Sequence, residues 1–278
     1  MRAKLGLSLL LVLAACASAP KPVDPPLLKA ALEAESDGAK RYQRGDLMVA
    51  ERRFADAMRR FASIDDASGS ARNRLHLVRV KLAQGQVDAA LELLDGMPPA
   101  LARDLDVLLL RGQALLAADR AIDAERALEL AAGRCGADCA AAASLEILRG
   151  RASLRRGEAA AARAHAERGL ALLRERDEPQ ELGNAWRLLA AARLAAGDVT
   201  ALAAAQAALD IDRRLALPEK IARDWLLLGD IHRRFTPGQP PGGNDARLAY
   251  ARALEVAEAA GLKEISLIAS QALQAIGM

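Results

Sequence analysis

Leu110–Ala131 reads LRGQALLAADRAIDAERALELA, and the rest of the chain can be laid against it. Gly112 is followed by Ala124, Leu128 and Ala131 at offsets of 12, 16 and 19. Apolar residues recur at helical spacing on both sides of a short polar interruption, Asp119-Arg120, so the stretch predicts two helices joined by a tight turn. The small residues Gly112 and Ala124 would let those helices approach closely, with Leu128 filling the space beside them.

Small, large and small residues at these offsets resemble one tetratricopeptide (TPR) repeat, a helix–turn–helix unit that stacks into solenoids. Along the chain the corresponding turn residues are Gly45, Gly85, Asp119, Gly157 and Gly197, at intervals of 40, 34, 38 and 40 residues. The first unit has Gly38, Ala50, Phe54 and Ala57; the second has Val87, Ala90 and Leu94 before Pro98-Pro99 stops the helix. Gly150, Ala162 and Ala166 carry the fourth. The fifth has Trp186, Leu189 and Gly197 but then departs, with Leu202 and Gln206 where a small and a large residue belong. In the sixth, Trp225-Leu226-Leu227-Leu228-Gly229 matches the family's opening W-x-x-L-G, and Ala246, Tyr250 and Ala253 match its second helix. Between them Thr236–Asn244 is glycine-rich, but it lacks the preceding strand and the Gly-Lys-Ser/Thr ending of a nucleotide loop. It reads as a surface loop. Glu264–Ile276 supplies one more amphipathic helix, with Ile265, Ile268, Leu273 and Ile276 expected on its inner face, as a solenoid end requires.

The expected architecture is therefore all-α, a TPR-type α-solenoid of about six repeats over residues 30–258 with a capping helix over 259–278. Composition agrees. Apolar residues make up 52% of the chain and aromatics only 3%, with Ala and Leu, both strong helix formers, dominating. Such a core is shallow and suits thin stacked layers.

Met1–Cys16 reads MRAKLGLSLLLVLAAC: two positive charges, an apolar run too short to span a bilayer, then small residues. Leu13-Ala14-Ala15-Cys16 resembles the lipobox of bacterial lipoproteins. That resemblance implies a cleaved signal peptide over residues 1–15 and lipidation of Cys16, with palmitate among the acyl chains. Ala17, where an inner-membrane retention signal would place Asp, points by the same resemblance to the inner leaflet of the outer membrane, facing the periplasm. Residues 16–29 would form a Pro-rich tether, its stretch Ala17–Pro26 reaching roughly 30 Å. The formal charge of +3 falls to +1 once Arg2 and Lys4 are removed, which is no nucleic-acid signature.

Cys135 and Cys139 lie at the junction of the third and fourth units. In an oxidising compartment a structural disulfide is permissible at this spacing. A redox pair would more commonly be Cys-x-x-Cys, and a metal site would need two further ligands, with His165 the nearest candidate. The structural disulfide is the expectation. The other histidines, His76 and His232, are scattered, and the carboxylates Asp65, Asp66, Asp210 and Asp212 read as helix-end or solvated groups. No metalloprotease, serine-hydrolase or nucleotide-loop pattern occurs. No catalysis, cofactor or metal is expected.

The TPR resemblance places the concave face on the first helix of each unit. Carried over residue by residue, its groove positions include Arg72, Arg79, Arg151, Arg155, Arg187, Arg223, Arg233 and Arg234, against the acids Glu35, Asp106 and Asp230. Eight bases to three acids implies a protein partner presenting an acidic segment, unless neighbouring carboxylates already occupy these arginines. The array also resembles TPR lipoproteins that serve as secretin pilotins in type IV pilus biogenesis, as parts of barrel-assembly machinery, or as recruiters of peptidoglycan hydrolases. The expected role is thus an outer-membrane scaffold or adaptor. A ligand-sensing subunit and an enzyme-associated thiol-redox protein are the alternatives.

Overall fold

The computed structural model describes residues 25–136, 139–235 and 244–277. The signal peptide, Cys16 and nearly all of the 236–244 loop lie outside them. Thirteen helices follow one another, with no strand among the described residues. They are α1 (Pro26–Gln43), α2 (Leu47–Ser63), α3 (Ala67–Ala83), α4 (Val87–Asp95), α5 (Leu105–Ala117), α6 (Ala121–Ala132) and α7 (Ala142–Arg155). They continue as α8 (Ala159–Leu173), α9 (Pro179–Ala196), α10 (Ala201–Arg214), α11 (Pro218–Phe235), α12 (Asn244–Ala259) and α13 (Lys263–Gly277). None is long and apolar enough to cross a membrane.

The turns within the first five units have the same physical cause. Gly45, Gly85, Gly157 and Gly197 adopt φ between 73° and 80°, a left-handed conformation in which a side chain is strained. Asp119 takes the same place with φ 58°, so the template's polar interruption is the unit's turn. Helices then pair as α1/α2, α3/α4, α5/α6, α7/α8, α9/α10 and α11/α12, with α13 closing the end against α12 and α11. At the centre of three of the pairs a glycine meets a large side chain. Leu128 lies over Gly112, Phe54 over Gly38 and Tyr250 over Gly229, all three large groups being fully buried.

The core is a chain of small apolar clusters, strung from α1–α2 to α11–α13 and built mainly from alanine and leucine. First helices also pack on one another, α3 on α5, α5 on α7, α7 on α9 and α9 on α11, whereas second helices do not approach to that degree. First helices therefore line the tighter, concave side.

Two local expectations are corrected. In the fifth unit the turn is longer, Gly197-Asp198-Val199-Thr200, held by the Asp198 carboxylate accepting from Thr200 N and Oγ1 at 2.9 and 2.7 Å. This shifts the packing frame of the second helix by three residues. Ala205 and Leu209 are fully buried in the places assigned to Leu202 and Gln206, and Leu202 is exposed. The unit keeps the repeat pattern in a shifted frame. In α13, Ile265 and Ala269 face inward, while Ile268 is 42% exposed beside Leu267, because the helix is rotated relative to the expected face.

Candidate functional site

The odd-numbered helices α3, α5, α7 and α9 enclose a concave cavity of about 310 Å³. Leu109, Ile147 and Leu148 form apolar wall, and the polar lining comprises Arg79, Asp106, Gln113, Ser144, Arg151, Glu181 and Asn184. Beside the groove, burial pushes the Tyr42 phenol of α1 up, Arg79 pulls it down and Glu219 adds to the rise.

The structure separates the eight groove arginines into three groups. Five are occupied by neighbouring carboxylates. Arg72 makes a two-pronged pair with Glu35, at 2.6 and 2.8 Å, and that guanidinium holds Glu35 below the usual carboxylate range. Arg155 pairs with Asp119 at 2.8 Å, Arg223 with Glu219 at 3.1 Å and Arg233 with Asp230 at 3.4 Å. Arg187 is held by two buried acids, Asp212 and Asp224. Arg234 instead lies 5.6 Å from the centre of the Phe235 ring.

Arg79 and Arg151 remain. Among the described residues neither has a carboxylate within ion-pair distance, and both line the central cavity. Burial, with Arg187 and Arg223 nearby, pushes the Arg151 guanidinium down to about 10, so it stays cationic at neutral pH. An unpaired, partly desolvated guanidinium attracts an anion more strongly than a solvated one.

Asp212 is not the solvated carboxylate read from the sequence. It is 0% exposed, as is Asp224, a residue singled out by no motif. Both were missed because their partner, Arg187, is distant in sequence. The shifted frame of α10 is what places Asp212 where the third unit has Ala131.

Cys135 and Cys139 are joined by a disulfide with their Cα atoms 5.2 Å apart. Cys135 and Gly136 border a second, mainly apolar cavity of about 440 Å³ between α6, α7 and α8. His165 Nδ1 lies 2.9 Å from Glu146 and His76 stacks on Phe54, so neither accompanies the cysteines. No cluster of three or more His, Cys, Asp or Glu able to hold a metal occurs among the described residues.

The tetratricopeptide repeat family matches residues 48–114, from α2 through α5. Beyond those residues the resemblance is one of fold, an all-α solenoid of the TPR type. Among solved structures it is similar to the apo form of RapI, with a TM-score of 0.59 and 12% identity over 88% of this chain and 70% of that one. A tetratricopeptide repeat protein from Parabacteroides merdae gives a TM-score of 0.49 and 15% identity over 90% and 94% of the two chains. At such identities the RapI likeness bears on the fold alone. No curated protein matches the chain.

Proposed function

We propose that this TPR solenoid is a non-catalytic adaptor that binds an acidic segment of a partner protein in its concave groove. The observation that carries this reading is the pair Arg79 and Arg151, cations on one cavity wall that neither Asp106 nor Glu181 of the same wall reaches at ion-pair distance. Gln113, Ser144 and Asn184 on the same wall offer hydrogen bonds to an extended peptide backbone. The binding surface is narrower than the arginine count suggests, because five of the eight are spent inside the protein.

The lipobox-like Leu13-Ala14-Ala15-Cys16 supports placing the adaptor on the inner leaflet of the outer membrane, held by lipid on Cys16. Six repeats on such an anchor favour an envelope-assembly role, of which secretin biogenesis for type IV pili is our specific proposal. Cys16→Ser should then leave the protein soluble in the periplasm with an unchanged helical signal; a variant that still sediments with membranes contradicts the anchor.

The groove is tested with a fluorescent Glu-rich peptide and the full chain. Anisotropy should report binding at low salt that weakens steeply as salt rises. The double variant Arg79→Glu, Arg151→Glu should weaken it about tenfold or more without changing helicity. Arg155→Glu, outside the cavity, should do much less. Binding indifferent to salt and to the double reversal would rule out this groove.

A further inference from the structure

Between the fifth and sixth repeats lies a buried ionic cluster whose arrangement goes beyond binding. Arg187 comes from the middle of α9, Asp212 from the last turns of α10 and Asp224 from α11. Arg187 Nε donates to Asp224 Oδ1 at 2.6 Å, and Nη2 donates to Asp212 Oδ2 and, at 3.3 Å, to Asp224 Oδ2. Nη1 is taken by Asn184 Oδ1 at 3.1 Å. One guanidinium thus serves two carboxyl groups that are both 0% exposed, and it is only 15% exposed itself. Asp212 Oδ1 is buried with no hydrogen-bond donor, and a Cβ at Gly183 would stand 3.0 Å from it.

The surrounding charges do not remove the deficit. From α11, Lys220 lies within electrostatic range of Asp212 but makes no ion pair with it, and burial pulls its ammonium down. Arg223, also on α11, is paired with Glu219. Arg151 from α7 and Glu181 from α9 oppose one another nearby, and Arg213 of α10 is turned onto the Trp225 ring, 4.9 Å from its centre. Both carboxyl groups accept from the same nitrogen, Arg187 Nη2, so their charges adjoin, and binding one proton relieves the repulsion between them.

We propose that Arg187, Asp212 and Asp224 form a proton-dependent latch fastening the sixth repeat to the fifth, closed while one proton is held by the carboxyl pair. Asp224 is the group that binds it. Burial is the main cause that raises its carboxyl to about 6; Arg187 opposes this and Asp212 adds to it. The folded value lies above the ordinary 3.8, so the folded state holds this proton more tightly than the unfolded one. The latch's stabilising contribution is full below pH 4, declines as pH rises through 6, and is level above. The gap between 3.8 and about 6 corresponds to a change on the order of a hundredfold in the opening equilibrium.

The consequence is local. Above pH 6 the helices α11–α13 should open more often than α1–α4, so the C-terminal end of the groove responds to mild acidity. The test uses the full chain. Asp224→Asn removes the titrating group, and Asp212→Asn removes the charge that helps raise it. For each, Tm relative to the wild type should climb between pH 5 and 7.5, whereas Glu219→Gln should show a flat difference. Amide protection in α11–α13, corrected for intrinsic exchange, should fall over the same range relative to α3. If the Asn variants do not fold, the wild type decides. Carbon-13 labelled aspartate should give one carboxyl resonance titrating near pH 6. Tm differences independent of pH, protection that falls uniformly along the chain, or aspartates all titrating below about pH 5 would overturn the latch.

Discussion

At Gly229 a single added methyl carbon would stand 2.4 Å from the Tyr250 ring; at Gly112 it would stand 2.6 Å from Leu128 Cδ2. The distances are close, but the neighbours differ in freedom. Leu128 presents the end of a branched chain that can turn, whereas Tyr250 is rigid and its hydroxyl donates to Asp230 at 2.7 Å. Gly229→Ala should therefore lower stability by about 1–3 kcal/mol and Gly112→Ala by less, as overpacking generally costs. Thermal melts of the two variants decide it, and equal losses would mean that Tyr250 is not anchored as described. The small residues of the pattern were legible in the sequence because each has one steric job at a fixed offset. Arg187, Asp212 and Asp224 were not, since ion pairing across three helices leaves no spacing to read.

At the scale of elements, the helix pairs could be read from turn residues and apolar periodicity, while the frame within a pair could not always be. A glycine marks where the fifth unit turns, yet Asp198 and Thr200 extend that turn by local hydrogen bonds before α10 begins. The junction between α6 and α7 is secured differently, by Cys135–Cys139 with a sequence separation of four residues. So short a loop removes little freedom from the unfolded chain, and the bond should contribute about 2 kcal/mol. Cys139→Ser, or reduction of the wild type, should lower Tm by a few degrees and leave the helical signal at room temperature unchanged. Collapse of helicity on reduction would show that the bond holds the fourth repeat together outright.

On the scale of the whole molecule, thin alanine-rich seams let first helices crowd together, and that crowding curves the array so that α3, α5, α7 and α9 enclose one cavity. The concave wall was legible in outline from the family's groove positions. Which arginines stay free was not, because it depends on acids such as Glu35, Asp119 and Asp224 brought in by neighbouring repeats. Curvature gathers Arg79 from the second repeat and Arg151 from the fourth around one cavity, and the proposed function rests on that convergence. Hydrogen-exchange mass spectrometry of the full chain, with and without the Glu-rich peptide at low salt, tests it most directly. Protection concentrated on α3, α5, α7 and α9 is the result this account predicts. Protection confined to α4, α6, α8 and α10 would place the binding surface on the convex side and contradict it.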